Sequence, residues 1–239
     1  MPNNPNITSP YYPYYKVQDS FIDLSDTTDL PRKVCDYLID APKGDYKPID
    51  DVKKYPRCRF WKYLYHDTDK PLSKKLPTIK EKMSVVFNPS KPENPPTEKG
   101  YRLIPQYAIK QSQTEAQTRV YVYMGRTVPT DNFKMAVALK FLIFTHYTYE
   151  ANTKSDEYSR CLGIEQALIE ALHGVNMGGI GTIYMSKRVH PECGSVVMSD
   201  GKENVGRELT LAFEFATTAE NEHTEYDNMF DMGNGLRMV

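Results

Sequence analysis

The alternation of apolar and polar positions is clearest in the second half of the chain. Arg119 to Met124 places Val120, Val122 and Met124 against Tyr121 and Tyr123, the period of a strand, with Gly125 and Pro129 expected to end it. From Met135 the odd positions Met135, Val137, Leu139, Phe141 and Ile143 form one apolar face, continuing through Thr145, Tyr147 and Tyr149. The even positions Ala136, Ala138, Lys140, Leu142, Phe144 and His146 are mixed. This predicts a strand of roughly 15 residues, far beyond the usual five or six.

The period then changes to that of a helix, predicted over Asp156 to His173. Tyr158, Cys161, Ile164, Leu168 and Leu172 share one stripe, with Glu165 and Glu170 away from it. Ser155 is the expected N-cap, Asp156 and Glu157 complement the helix dipole, and Gly174 supplies the stop. Ile180–Arg188 and Ser195–Met198 read as short strands, with a turn at Ser199–Lys202. Leu209, Leu211, Phe213 and Phe215 alternate with Thr210, Ala212 and Glu214 in a closing half-buried strand.

The first half is more broken. Residues 1–28 read as an extended arm, because Pro2, Pro5, Pro10 and Pro13 interrupt any helix and the YYPYY cluster offers aromatic anchors. A helix is expected at about 30–40, started by Asp29 and Pro31, with Leu30, Val34 and Leu38 on one face. Ten prolines divide residues 41–118 into short pieces. Within them Arg59–Tyr65 (RFWKYLY) is an aromatic stretch packing on the core as strand or short helix, and Lys91–Gly100 is a loop.

These elements predict an α+β fold: a mostly antiparallel sheet with one principal helix packed on it, and a proline-rich N-terminal elaboration. The expected division is an arm over 1–28, an elaboration over 29–118 with one helix and irregular segments, a core domain over 119–218 and an acidic tail over 219–239.

Composition adds three points. Eighteen tyrosines stand against one tryptophan, and a ring with a polar tip suits surfaces that are dry on one side and wet on the other. The net charge of −1 conceals an asymmetry: residues 41–110 hold 16 Lys/Arg and 8 Asp/Glu, whereas residues 150–239 hold 7 and 15. Opposed charge can steer subunits together. Finally, Cys35, Cys58, Cys161 and Cys193 are scattered, the N-terminus lacks the pattern of a signal peptide, and no apolar run is long enough for a membrane span. Free thiols in a reducing cytosol are the expectation.

No stretch carries a convincing catalytic constellation. His190-Pro-Glu-Cys193 has a metal-like spacing, but a closed zinc site needs a second close pair, and Cys58, His146, Cys161 or His173 would have to supply it from afar. Met177-Gly-Gly-Ile-Gly181 resembles a phosphate loop, yet it follows a helix and precedes a strand, the reverse of a nucleotide-binding turn. Ser195 has no evident base, and Cys161 lies on a core stripe. The expectation is therefore no enzyme, with no catalytic, cofactor-binding or metal residue and no cofactor. The basic aromatic segment 53–63, with Tyr55, Arg57, Arg59, Phe60, Trp61, Lys62 and Tyr63, has the composition of a single-strand stacking platform, though no specific nucleic-acid partner is expected.

The order of elements over 119–216 resembles the core of tailed-bacteriophage tail terminator (tail completion) proteins. The resemblance is carried by RVYVYMGRTVPTDNF, MAVALKFLIFTHYTYE, EYSRCLGIEQALIEALHG and RELTLAFEFAT. It implies a structural virion protein assembled in the host cytoplasm, forming a ring, typically of six subunits, that caps the tail tube and joins the tail to the head connector. Its partners would be copies of itself, the tail tube protein and connector or adaptor proteins, with no membrane. The alternatives are another neck component, such as a head-completion or connector-adaptor protein, or a small nucleic-acid-binding protein using 53–63.

Overall fold

In the computed structural model, the described residues are 29–39, 50–87, 100–106, 116–130, 134–150, 159–177, 181–199 and 204–216. They form helices α1 (Leu30–Ile39), α2 (Pro56–Tyr65) and α3 (Ile79–Ser84), then strands β1 (Leu103–Ile104), β2 (Thr118–Pro129) and β3 (Lys134–His146). A single helical turn, α4 (Tyr147–Glu150), helix α5 (Arg160–Leu172) and strands β4 (Thr182–Tyr184), β5 (Gly194–Ser199) and β6 (Asn204–Ala216) complete the chain. The predicted α+β class holds: one mixed, mostly antiparallel six-stranded sheet with helices against it.

The sheet runs β1-β2-β3-β6, and both β4 and β5 pair with the far side of β6. β3 and β6 pair without interruption from Lys134↔Ala216 to His146↔Asn204, which makes this ladder the spine of the molecule. Alternation assigns the faces. Val120, Val122, Val137, Leu139, Phe141, Ile143, Leu209, Leu211 and Phe213 point to the helices and are buried. Ala136, Ala138 and Leu142, on the other face, are buried too. The chain between β4 and β5 reaches that face, where Glu192 meets Lys140 of β3 at 3.2 Å and the His190 ring meets the Arg126 carbonyl of β2 at 3.1 Å.

The helical layer is held by its carbonyl ends. The last turns of a helix leave carbonyls without partners, and burying them without donors is costly. At the end of α1, Arg57 donates to Tyr37 O (3.2 Å), Trp61 Nε1 to Leu38 O (2.6 Å) and Lys82 Nζ to Ile39 O (3.4 Å). Around the end of α2, Arg102 donates to Leu64 O (3.2 Å), and Arg160 donates to Tyr63 O (3.4 Å), His66 O (2.8 Å) and Thr68 O. Arg102 also forms a two-pronged pair with Asp67, at 2.7 and 2.5 Å. Both arginines are buried, and burial pulls the Arg160 guanidinium below its ordinary pKa while Asp67 pulls it back up. Cations at helix C-termini also complement the dipole.

The structure departs from the sequence-based expectations at several points. The region 29–118 contains three α-helices and a short 3₁₀ helix at Pro71–Ser73 rather than one helix. Residues of α1 and α2 share one hydrophobic cluster with the strands. Of the two readings of RFWKYLY, strand or short helix, the helix holds, with Pro56 opening it where its missing N–H costs nothing. Gly125 does not end β2; the strand shifts register between Met124 and Thr127 and runs on to Pro129. A Cβ on Gly125 would stand 2.8 Å from the Lys140 side chain and 3.1 Å from that of Ala138, so any other residue there would have to displace the lysine. β3 is shorter than predicted and turns at Tyr147, which is 57% exposed. Ser159, not Ser155, caps α5 by accepting from Leu162 N (3.3 Å), and Glu165, expected outside the core stripe, is buried. Gly174 ends that helix at φ 80°, as predicted. The arm, the tail, Ser155, Asp156, Tyr158, most of the 91–100 loop and the centre of the 199–202 turn lie outside the described residues, as does the side chain of Phe215.

Replacing Arg160 by Met should cost about 3 kcal/mol or more, since it leaves the buried carbonyl of Tyr63 and the part-buried carbonyls of His66 and Thr68 without their donor. Arg32→Met, which removes an exposed pair with Asp36 and one part-buried bond to the Phe87 carbonyl, should cost only about 1 kcal/mol. Urea titrations giving equal losses would contradict the capping account.

Candidate functional site

The residues with possible chemistry are dispersed and paired. His190 is buried; its Nδ1 accepts from Glu192 N (3.2 Å), so Nε2 carries the proton that it donates to Arg126 O. Cys193 N donates to His190 O (3.1 Å), so His-Pro-Glu-Cys is a closed turn. Among the described residues no group of three or more His, Cys, Asp or Glu is placed to hold a metal ion. Around the 177–181 glycines, Met177 N donates to Gly181 O (2.9 Å) and Ile183 N to Val175 O (2.9 Å), which makes this a tight return between α5 and β4. Residues 178–180 lie outside the described residues.

Ser195 has a carboxylate neighbour that pattern reading did not assign. Its hydroxyl donates to Glu165 Oε2 (3.0 Å) and accepts from an Arg207 amino group (2.8 Å). Glu165 is in turn bound by the Arg207 guanidinium. Arg207 thus binds both Glu165 and Ser195, and the cluster joins α5, β5 and β6. On the opposite face Lys140 sits between Glu192 and Glu208, and Tyr123 donates to Glu208 (3.0 Å). All four thiols are buried, and desolvation by burial pushes each of them up, Cys58 to about 11. That is the opposite of what a catalytic thiolate requires.

The basic aromatic segment 53–63 also turns inward. Phe60, Trp61 and Tyr63 are core residues, so their faces are closed to stacking bases. Arg57 caps α1 and lies over the Tyr37 ring at 4.8 Å, and Arg59 pairs with Glu170 at 2.7 Å. Lys62 is buried against Asp50 at 2.6 Å. Asp50 also accepts from Leu76 N (3.0 Å) and Cys58 Sγ (3.5 Å). Partial burial pushes its carboxyl up, but the bonds from Lys62 and Leu76 outweigh this and hold it below the ordinary carboxylate value.

A family model described as YomW matches residues 59–210. The chain belongs to the YomW family. No curated protein and no solved structure matches it. The span that defines the YomW family here starts inside α2 and ends inside β6, and therefore takes in most of α2, helices α3 and α5 and most of the sheet, but not α1.

What this YomW-family chain leaves open is an edge. β5 pairs only with β6 among the described strands. Val196 and Val197 are each 65% exposed, and Met198 36%. Ser195 faces α5, so alternation puts Val197 on the helix side and Val196 and Met198 on the other. The opposite edge is managed. Val85 O accepts from Arg102 N (2.7 Å) and Leu103 N (3.2 Å) beside β1, and beyond β1 strand β2 is irregular, with a register shift against β3 between Met124 and Thr127 and Pro129 at its end. Bulges and prolines are devices that stop strand pairing, and β5 has neither between Val196 and Met198. The sequence marked this stretch as a strand; its exposure follows only from the topology that places it outermost.

Two solution measurements check the interior. Because the Asp50 pKa is lowered by folding, its contribution is present above the ordinary carboxylate range and is lost as pH falls through the folded value. Asp50→Asn should therefore lower stability at pH 7, with the difference from wild type closing towards pH 3; a gap independent of pH would contradict the pairing. A thiol reagent at pH 8 should label none of the four cysteines within minutes in native protein and all of them in urea. One rapidly labelled native thiol would show a reactive site that the burial pattern does not provide.

Proposed function

We propose that this YomW-family chain is a structural virion subunit, a ring-forming protein of six copies that caps a tail tube and joins it to the head connector. The observation that carries the reading is the open apolar edge at Val196–Met198, alongside the 13-pair β3–β6 ladder. An exposed, uncharged strand edge is a template for another chain, and folded proteins that stay monomeric usually blunt it. A rigid sheet backed by capped helices is a wedge suited to carrying load around a ring. The charged and polar side chains that might perform chemistry (Glu165, Lys140, His190, Arg160) are engaged with each other or with carbonyls, which favours a scaffold. The resemblance of residues 119–216 to tail terminator proteins supplies the place in the particle.

Sedimentation and negative-stain micrographs of the full chain, alone and with tail tubes, should show a closed ring. Val197→Lys, at an exposed position, should preserve folding and raise the concentration needed for assembly by about tenfold or more. A stable monomer under both conditions would overturn the proposal.

A further inference from the structure

The open edge has a candidate occupant in the chain itself. Helix α1 begins beside the closed edge of the sheet: Arg32, in its first turn, donates to Phe87 O (3.3 Å), and Phe87 N donates to Leu103 O of β1 (2.8 Å). The start of α1 therefore lies on the β1 side, whereas the unpaired strand lies at the β5 side, four strand steps away. Donor and acceptor are on opposite edges. That is the arrangement a head-to-tail contact needs, and repeating such a contact with rotation closes a ring.

The arm has the composition for the task. Its prolines end at Pro13, and Tyr14 to Leu24 (YYKVQDSFIDL) keeps every backbone N–H available for a ladder. Apolar side chains occur at both parities, Tyr15, Val17 and Phe21 on one and Tyr14, Ile22 and Leu24 on the other. β5 offers apolar positions on both faces, Val197 on one and Val196 and Met198 on the other. Twenty-eight extended residues reach about 90 Å, and four strand steps span about 19 Å, so length sets no bar to reaching an adjacent copy.

We infer that residues 14–24 of one copy add as a strand to the outer side of β5 of the next copy. The inference rests on the ring reading and names the contact that closes the ring. Main-chain hydrogen bonds would supply affinity and the flanking pockets the register, as in other strand-addition complexes.

Hydrogen exchange on the full-length protein tests this across the concentration range of assembly. Amides of 14–24 and of 196–198 should slow together, by about tenfold or more, as the ring forms. Val197→Lys, and separately Phe21→Asp with Ile22→Asp in the arm, should each abolish both protections while circular dichroism stays unchanged. Rings in which 196–198 slow but 14–24 do not would place another segment, such as β5 of a second copy, on the edge and overturn the inference while leaving the ring. Slowing that is equal at every concentration would place the chain's own arm there and overturn it as well. No ring under any condition would remove the ring reading itself, a result distinct from the other two.

Discussion

The fold depends on two arginines brought to the end of one helix. Arg102 enters from the start of β1 and Arg160 from the first turn of α5, and together they bind the carbonyls of residues 63, 64, 66 and 68. The second half of α2 is buried, with Phe60, Trp61, Tyr63 and Leu64 in the core, so water is kept from the carbonyls of Tyr63 and Leu64. Without the guanidinium donors the helix could not terminate inside the protein. With them, three distant parts of the chain are tied at one point. Trp61, Arg57 and Lys82 repeat the arrangement at the end of α1.

This accounts for part of the positive excess between residues 41 and 110, while Lys53, Lys54, Lys70, Lys74, Lys75 and Lys80 stay exposed. Arg57, Arg59, Lys62, Lys82 and Arg102 spend their charge on carbonyls and carboxylates of the same molecule. It also explains why the aromatic residues among them do not form a stacking platform: they are the apolar body of the layer that the cations cap. The proposed association uses the uncharged edge of the sheet rather than these side chains.

The sheet was largely legible in the sequence, the helical layer was not. Strands half-buried against one face write their period into the chain, so β2, β3 and β6 follow from Val120–Val122, Met135–Ile143 and Leu209–Phe213. A helix buried all round writes no period, and α2 is one; its Lys62 reads as a surface residue although it is buried against Asp50. Capping across 97 residues, as between Arg160 and Tyr63, leaves no local signature at all. Glu165 is similar: its stripe position suggests solvent, and Ser195 and Arg207, the latter 42 residues on, compensate its burial. The candidate edge falls between these cases, since SVVM reads as a strand but its outermost position is a property of the topology.

The central claim is that the polar interior is closed and that association uses the sheet edge at Val196–Met198. A reconstruction of the assembled particle by electron cryomicroscopy tests it most directly. The account predicts subunit contacts with a strand of density added beside β5 and the helical layer away from the contact. A particle in which β5 faces solvent, with subunits joined through α1, α2 and α5, would contradict it.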